Sequence, residues 1–202
     1  LPRTEVPEFM HRLVEDAVAL ARHSSHINQA SGVSVRTSIA CVENMVSSAE
    51  RRGILTGEDV VTTRMCDLAH ITAATRGKIE LMLADEGESA EDKLVLALLG
   101  EAVKAVFDRI ADIDDYEPIA RQFDEGLKLT LGDELSAADV LASLDHVKGM
   151  SRAVQEMTLK LDLDPKNPQH LAAAGEFLLE ALYVHNRLSK SPTAAGSRYG
   201  RG

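Results

Sequence analysis

"SGVSVRTSIACVENMVSSAERRG", residues Ser31 to Gly53, carries a periodicity from which much of the architecture follows. Ser34 is a good N-cap, and Val35, Ile39, Val42, Val46 and Ala49 recur at alternating steps of four and three. That spacing winds onto one face of an α-helix, and Gly53 is the residue type that a helix end favours. The stripe is expected to be core. The front of the helix holds an anomaly. Arg36 sits on the first turn, where unpaired N–H groups and the macrodipole already supply partial positive charge. An anion would offset it, because a helix N-terminus with an added arginine suits phosphate.

Outward from this stretch, helical spacing continues. Phe9, Leu13, Ala17 and Leu20 mark a helix introduced by Pro7 and fading at "HSSH". Another is expected over about residues 63 to 76, ended by Gly77. Ser89 with Asp92 resembles a capping box, ahead of the stripe Val95, Leu99, Ala102, Val106 and Ile110. Ser136 caps "AADVLASLDHV", a further helix runs through Met157, and Asn167-Pro168 opens the last, with Leu171, Ala174, Leu178 and Leu182 on its apolar face. Only "KIELML" and "LKLTL" alternate well enough for short strands. The expected fold class is all-α, with at most two short strands. The acidic, helix-breaking run Asp112 to Pro118 suggests a seam, so the units are 1–111, 112–190 and a mobile basic tail, 191–202.

Charge narrows the function. Lys and Arg number 22 against 32 Asp and Glu, a net −10, which repels polyphosphate and argues against a nucleic-acid binder. No apolar run approaches the roughly 20 residues of a membrane span, and no signal-peptide pattern opens the chain. Cys41 and Cys66 lack zinc-type spacing and read as free thiols in a reducing, cytoplasmic setting.

Catalytic chemistry is hard to find. The string "TRGKIE" lacks both the upstream glycine and the hydroxyl after Lys78 that a phosphate loop requires. Asp133 and Glu134 follow an apolar run as magnesium-binding acids do, but they read better as acids ahead of a helix start. His23 and His26 are spaced for one helical face but have no third ligand in sequence, and neither cysteine has a histidine arranged beside it. No catalytic residue and no metal ligand is assigned.

The segments "INQASGVSVRTSIACVENMVSSAERR", "RMCDLAHITAATRGKIEL", "LLGEAVKAVF", "LTLGDELSAADVLASL" and "FLLEALYVHNRLSK" with the closing "RYG" resemble, in order, one family. It is the C-terminal portion of the magnesium-chelatase I-subunit-like AAA+ ATPases, relatives of the MoxR group. The resemblance spans roughly residues 5 to 200, and its most specific part is Ser31, Gly32, Val33, Ser34, Val35 and Arg36. It implies that residues 1–111 form the helical lid of an AAA+ protein, followed by a helical extension. Arg36 is then similar to the sensor-2 arginine that reaches the γ-phosphate of bound nucleotide. The resemblance further implies ATP and Mg²⁺ in the full-length protein, an upstream AAA+ core, a homo-oligomeric and hexameric ring, and a partner with a von Willebrand-A domain. The family's Walker A and Walker B motifs would lie before Leu1, so this chain alone is expected to hydrolyse nothing and to need no cofactor. The competing reading is a stand-alone helical adaptor with no nucleotide role.

Overall fold

Two short extended segments set the frame for the N-terminal helices. The computed structural model describes residues 1–27, 33–75, 90–194 and 196–201. β1 (Arg3–Glu5) pairs in parallel with β2 (Val60–Thr62), Thr4 opposite Val61. Between them run α1 (Glu8–His23) and α2 (Val35–Thr56), followed by α3 (Met65–Leu68) and α4 (Ile71–Thr75). α5 (Ala90–Asp108) packs along α1, burying Val95, Leu98, Leu99, Ala102, Val103, Val106 and Phe107.

A 3-10 turn at Ile113–Tyr116 leads into α6 (Glu117–Asp124), then β3 (Leu129–Gly132), α7 (Ala137–Leu144) and α8 (Met150–Lys160). α9 (Pro168–Val184) runs through the middle and packs on α5, α7 and α8. Its Asn167 side chain accepts from Gln169 N, and the Ala172 to Gly175 run lets neighbours approach closely. A Cβ on Gly175 would stand 2.4 Å from Leu144 Cδ1. Aromatic rings tie the helices together: Phe9 meets Phe177 edge-on at 5.2 Å, and Phe107 meets Tyr116 at 5.8 Å. One connected apolar core reaches from Phe9 to Tyr199.

The all-α expectation, with at most two short strands, is corrected here. Among the described residues five strands form two sheets, the second in the order β3-β5-β4 with β4 (Ser189–Thr193) and β5 (Gly196–Gly200) antiparallel. "LKLTL" does supply β3, while "KIELML" lies outside the described residues. β5 and the last three residues of β4 come from the stretch 191–202 read as a mobile tail, while Ser189 and Lys190 end the helical extension ahead of it. Both strands escape periodicity because "SKSPT" and "GSRYG" are short and polar, and cross-strand pairing rather than alternation holds them. Gly196 is indispensable to the hairpin: its φ is +137°, and a Cβ there would lie 2.2 Å from the Leu131 carbonyl oxygen.

A second correction concerns α2. Its buried residues are Thr37, Cys41, Met45, Ala49, Arg52 and Gly53, whereas Val35 is 67% and Ile39 53% exposed. The true inner face is rotated roughly a quarter turn from the expected stripe. Gly53 is no terminator either. The helix runs on to Thr56, and Gly57 supplies the left-handed cap at φ 72°. Gly53 instead makes room for Pro2 and Val61, each of which would lie 2.8 Å from a Cβ. The rotation has a measurable consequence. Met45→Ala should cost about 2–5 kcal/mol through the cavity it leaves, while Ile39→Ser should stay within about 0.5 kcal/mol. Urea unfolding compares them directly, and equal losses would restore the original stripe.

Among the described residues no helix is long and apolar enough to cross a membrane.

Candidate functional site

The outer side of α2 is the candidate surface, and the core fixes where it points. The start of α2 is tied to α1: Arg22 Nε donates to the Val33 carbonyl at 2.9 Å, and Val33 and Thr37 are buried. Ser34 occupies the N-cap position with extended backbone, but its hydroxyl makes no capping hydrogen bond. No acidic residue occupies the first turn. The helix start therefore keeps open N–H groups, and the dipole there is not offset from within. Arg36 is exposed on this turn, with no hydrogen bond or ion pair to any described residue. Ile39, one turn further along, and Val35 expose apolar surface beside it.

The other half of α2 is gripped by a buried charge network. Arg52, fully buried, donates through Nη2 to Asp67 Oδ2 at 2.9 Å and to the Thr62 carbonyl at 2.9 Å. Asp67 also accepts from Ser48 Oγ at 3.0 Å and from Arg64 N at 2.9 Å. Arg64, equally buried, reaches the Leu135 carbonyl at 2.8 Å and places Nε 3.2 Å from Glu176 Oε1. Glu176 in turn accepts from Cys66 N at 2.9 Å. Two arginines and two carboxylates thus close a neutral cluster joining α2, α3 and α9. Burial pulls the Arg64 guanidinium down, but Glu176 and Asp67 outweigh it and the net shift is upward. Burial pushes the Cys66 thiol up, and Glu176 and Asp67 add to that, so it is a poor thiolate.

Sequence reasoning missed this cluster. The signal was present in the run Cys41, Met45, Ala49 and Arg52, which keeps helical spacing on the face that is buried. It was masked because Val35, Ile39 and Val42 made a more apolar stripe next to it.

The other sequence candidates disperse. Glu134 pairs with Arg51 at 2.8 Å, and Asp133 lies 3.6 Å from His70. His23 Nδ1 stands 2.9 Å from the Ala19 carbonyl, at the α1 C-terminus, and His26 is exposed. No group of three or more His, Cys, Asp or Glu converges among the described residues. Neither Cys41 nor Cys66 forms a disulfide.

No family model, curated protein or solved structure matches the chain.

One surface cluster links stability to pH. His185 Nδ1 is 2.7 Å from the Ala181 carbonyl and its Nε2 is 2.8 Å from Asp108 Oδ1, while Lys104 Nζ is 3.2 Å from Asp108 Oδ2. Partial burial pulls the Asp108 carboxyl up, but its bonds with His185 and Lys104 outweigh that and hold it below its ordinary value. A depressed carboxylate stabilises the fold above its unfolded pKa, and the contribution disappears as pH falls through the folded one. Wild type should therefore exceed Asp108→Asn in urea midpoint at pH 5, with the difference closing below about pH 4. A gap unchanged down to pH 2 would remove the charge from the account.

Proposed function

We propose that the chain is the lid and C-terminal module of a ring-forming AAA+ ATPase of the magnesium-chelatase-like kind. Arg36 is the observation that supports it: an exposed, unpartnered guanidinium on an uncapped helix start, flanked by the exposed Val35 and Ile39. A cation there is unfavourable in isolation and favourable against an anion. The family resemblance around Ser31 to Arg36 supplies the second argument.

The residues present fit one contact to a triphosphate and no more. An ATPase core ahead of this module would hold ATP and Mg²⁺, and the nucleotide would supply the γ-phosphate charge. Arg36 forks onto that charge, and the apolar surface of Val35 and Ile39 seats against the core. Because the buried Arg52–Asp67–Arg64–Glu176 cluster grips the rear of α2, movement at its front is passed to α3 and α9 as a rigid unit. The same reading brings a homo-oligomeric, hexameric ring and a von Willebrand-A-domain partner. The unbridged thiols of Cys41 and Cys66 suit a reducing, cytoplasmic compartment.

The test is Arg36→Ala in the protein together with its ATPase core. Turnover should fall while the fold is kept. Unchanged turnover in a folded variant leaves α2 as the contact face of a helical adaptor without a nucleotide role.

A further inference from the structure

A cleft of about 860 Å³ opens between α5, α9 and the β3-β5-β4 sheet, a volume typical of small-molecule sites. One end of it is built by four side chains. Glu180 and Tyr183 stand one turn apart on α9, and Lys190 and Tyr199 are cross-strand partners on β4 and β5. Lys190 Nζ lies 2.7 Å from Glu180 Oε2 and 5.8 Å from the centroid of each tyrosine ring. The Tyr199 hydroxyl donates to the same Glu180 oxygen at 3.4 Å. A carboxylate with two aromatic faces is a cage for an ammonium group, and here the chain's own lysine occupies it. Burial pushes the Tyr199 phenol up, with Glu180 and Glu176 adding to it.

A second, independent observation lies deeper in the same cleft. Glu176, with a side chain only 4% exposed, lines it, and its Oε1 makes no hydrogen bond, its close cation being Arg64 Nε at 3.2 Å. Thr193 Oγ1, also in the lining, is buried without a partner. The ion pair leaves Glu176 Oε1 a further lone pair, and the Thr193 hydroxyl has none of its hydrogen bonds made, so a donor entering the cleft finds acceptors for it. Glu176 and Glu180 are four residues apart, about 6 Å along the helix axis, close to the nitrogen-to-nitrogen span of a short diamine. Leu96, Ala97 and Leu131 supply apolar wall for the methylenes between. The remaining charged lining is Lys93 and Glu101, Lys104 paired with Asp108, and His70 beside Asp133.

We propose that this cleft binds a linear alkyl polyamine, with one ammonium group displacing Lys190 from the cage of Glu180, Tyr183 and Tyr199 and the next approaching Glu176. The site is independent of the nucleotide reading, since it shares no residue with the outer side of α2. A free amine must compete with Lys190, whose effective concentration at the cage is in the millimolar range. Removing that internal competitor should strengthen binding, whereas removing the carboxylate should weaken it.

Calorimetric titration of spermidine into wild type, Lys190→Gln, Glu180→Gln and Tyr183→Leu decides the matter, with circular dichroism melting to confirm folding. Lys190→Gln should bind about tenfold tighter than wild type. Glu180→Gln should bind at least about tenfold weaker, and Tyr183→Leu, on a half-exposed position that tolerates change, several-fold weaker. Equal affinity in all four proteins, lost together at high salt, would mean only general attraction to a chain of net charge −10 and would overturn the site. Weaker binding in folded Lys190→Gln would overturn it as well.

Discussion

Asp67→Ala should cost about 3–5 kcal/mol, the scale of breaking one side of a buried ion pair. Whole-domain stabilities are about 5–15 kcal/mol, so this one carboxylate decides whether the fold survives. The reason is geometric. Asp67 accepts from Ser48, Arg52 and the Arg64 backbone, and no water stands ready to replace it, since Arg52 and Arg64 are fully buried. Arg52 Nε and Nη1 already lack partners, so deleting the carboxylate leaves a buried guanidinium with no counter-charge and only the Thr62 carbonyl as acceptor. The paired replacement Arg52→Met with Asp67→Leu should recover much of the loss, because neither charge is then left alone. A double-mutant cycle by urea unfolding isolates the coupling. A loss below about 1 kcal/mol for Asp67→Ala would show that α2 is held by apolar contacts alone.

This cluster also marks where sequence reading succeeds and where it stops. α1 was legible because its stripe is one-sided, Phe9, Leu13 and Ala17 having charged residues opposite, and α9 because Asn167-Pro168 marks its start and its apolar residues run on past one face. α2 was legible as a helix but not in its rotation. It carries two neighbouring apolar faces, and periodicity reports a face without reporting its partner. The inner one was the less apolar of the two because it includes Thr37 and Arg52, whose burial depends on Asp67 arriving from α3. Tertiary pairing of that kind leaves no local trace. The same holds for β1 and β2, three residues each, which exist because Arg3 to Glu5 meets Val60 to Thr62 in space. The β4–β5 hairpin likewise rests on pairing in space, Lys190 opposite Tyr199 and Tyr199 opposite Leu129. For the candidate residue, only its position was legible. Arg36 stood out in sequence as a cation at the wrong helix end, and it is found exposed there without an internal partner.

That placement yields the largest expected effect on activity. Under the proposed lid reading, Arg36→Ala in the chain joined to its ATPase core should lower turnover by roughly 10- to 1,000-fold, the range for losing one charge-assisted contact to a reacting phosphoryl group. Stability should barely change. The side chain is exposed and makes no contact that the fold uses, and removing a cation from a helix N-terminus relieves the dipole by about 0.3–1 kcal/mol. The two quantities must therefore move apart, or in opposite directions, which a merely structural arginine would not allow. Arg36→Lys should regain only part of the activity: its point charge reaches the phosphate, but one ammonium cannot place two parallel N–H groups on it. Ile39→Asp offers a control on the same face. It should weaken seating against the core and raise the apparent KM for ATP, whereas Arg36→Ala acts mainly on kcat. Steady-state kinetics with melting curves on the same preparations read all of this together. Folded Arg36→Ala with wild-type kcat and KM would leave the arginine a solvated surface residue, whatever its position on the helix.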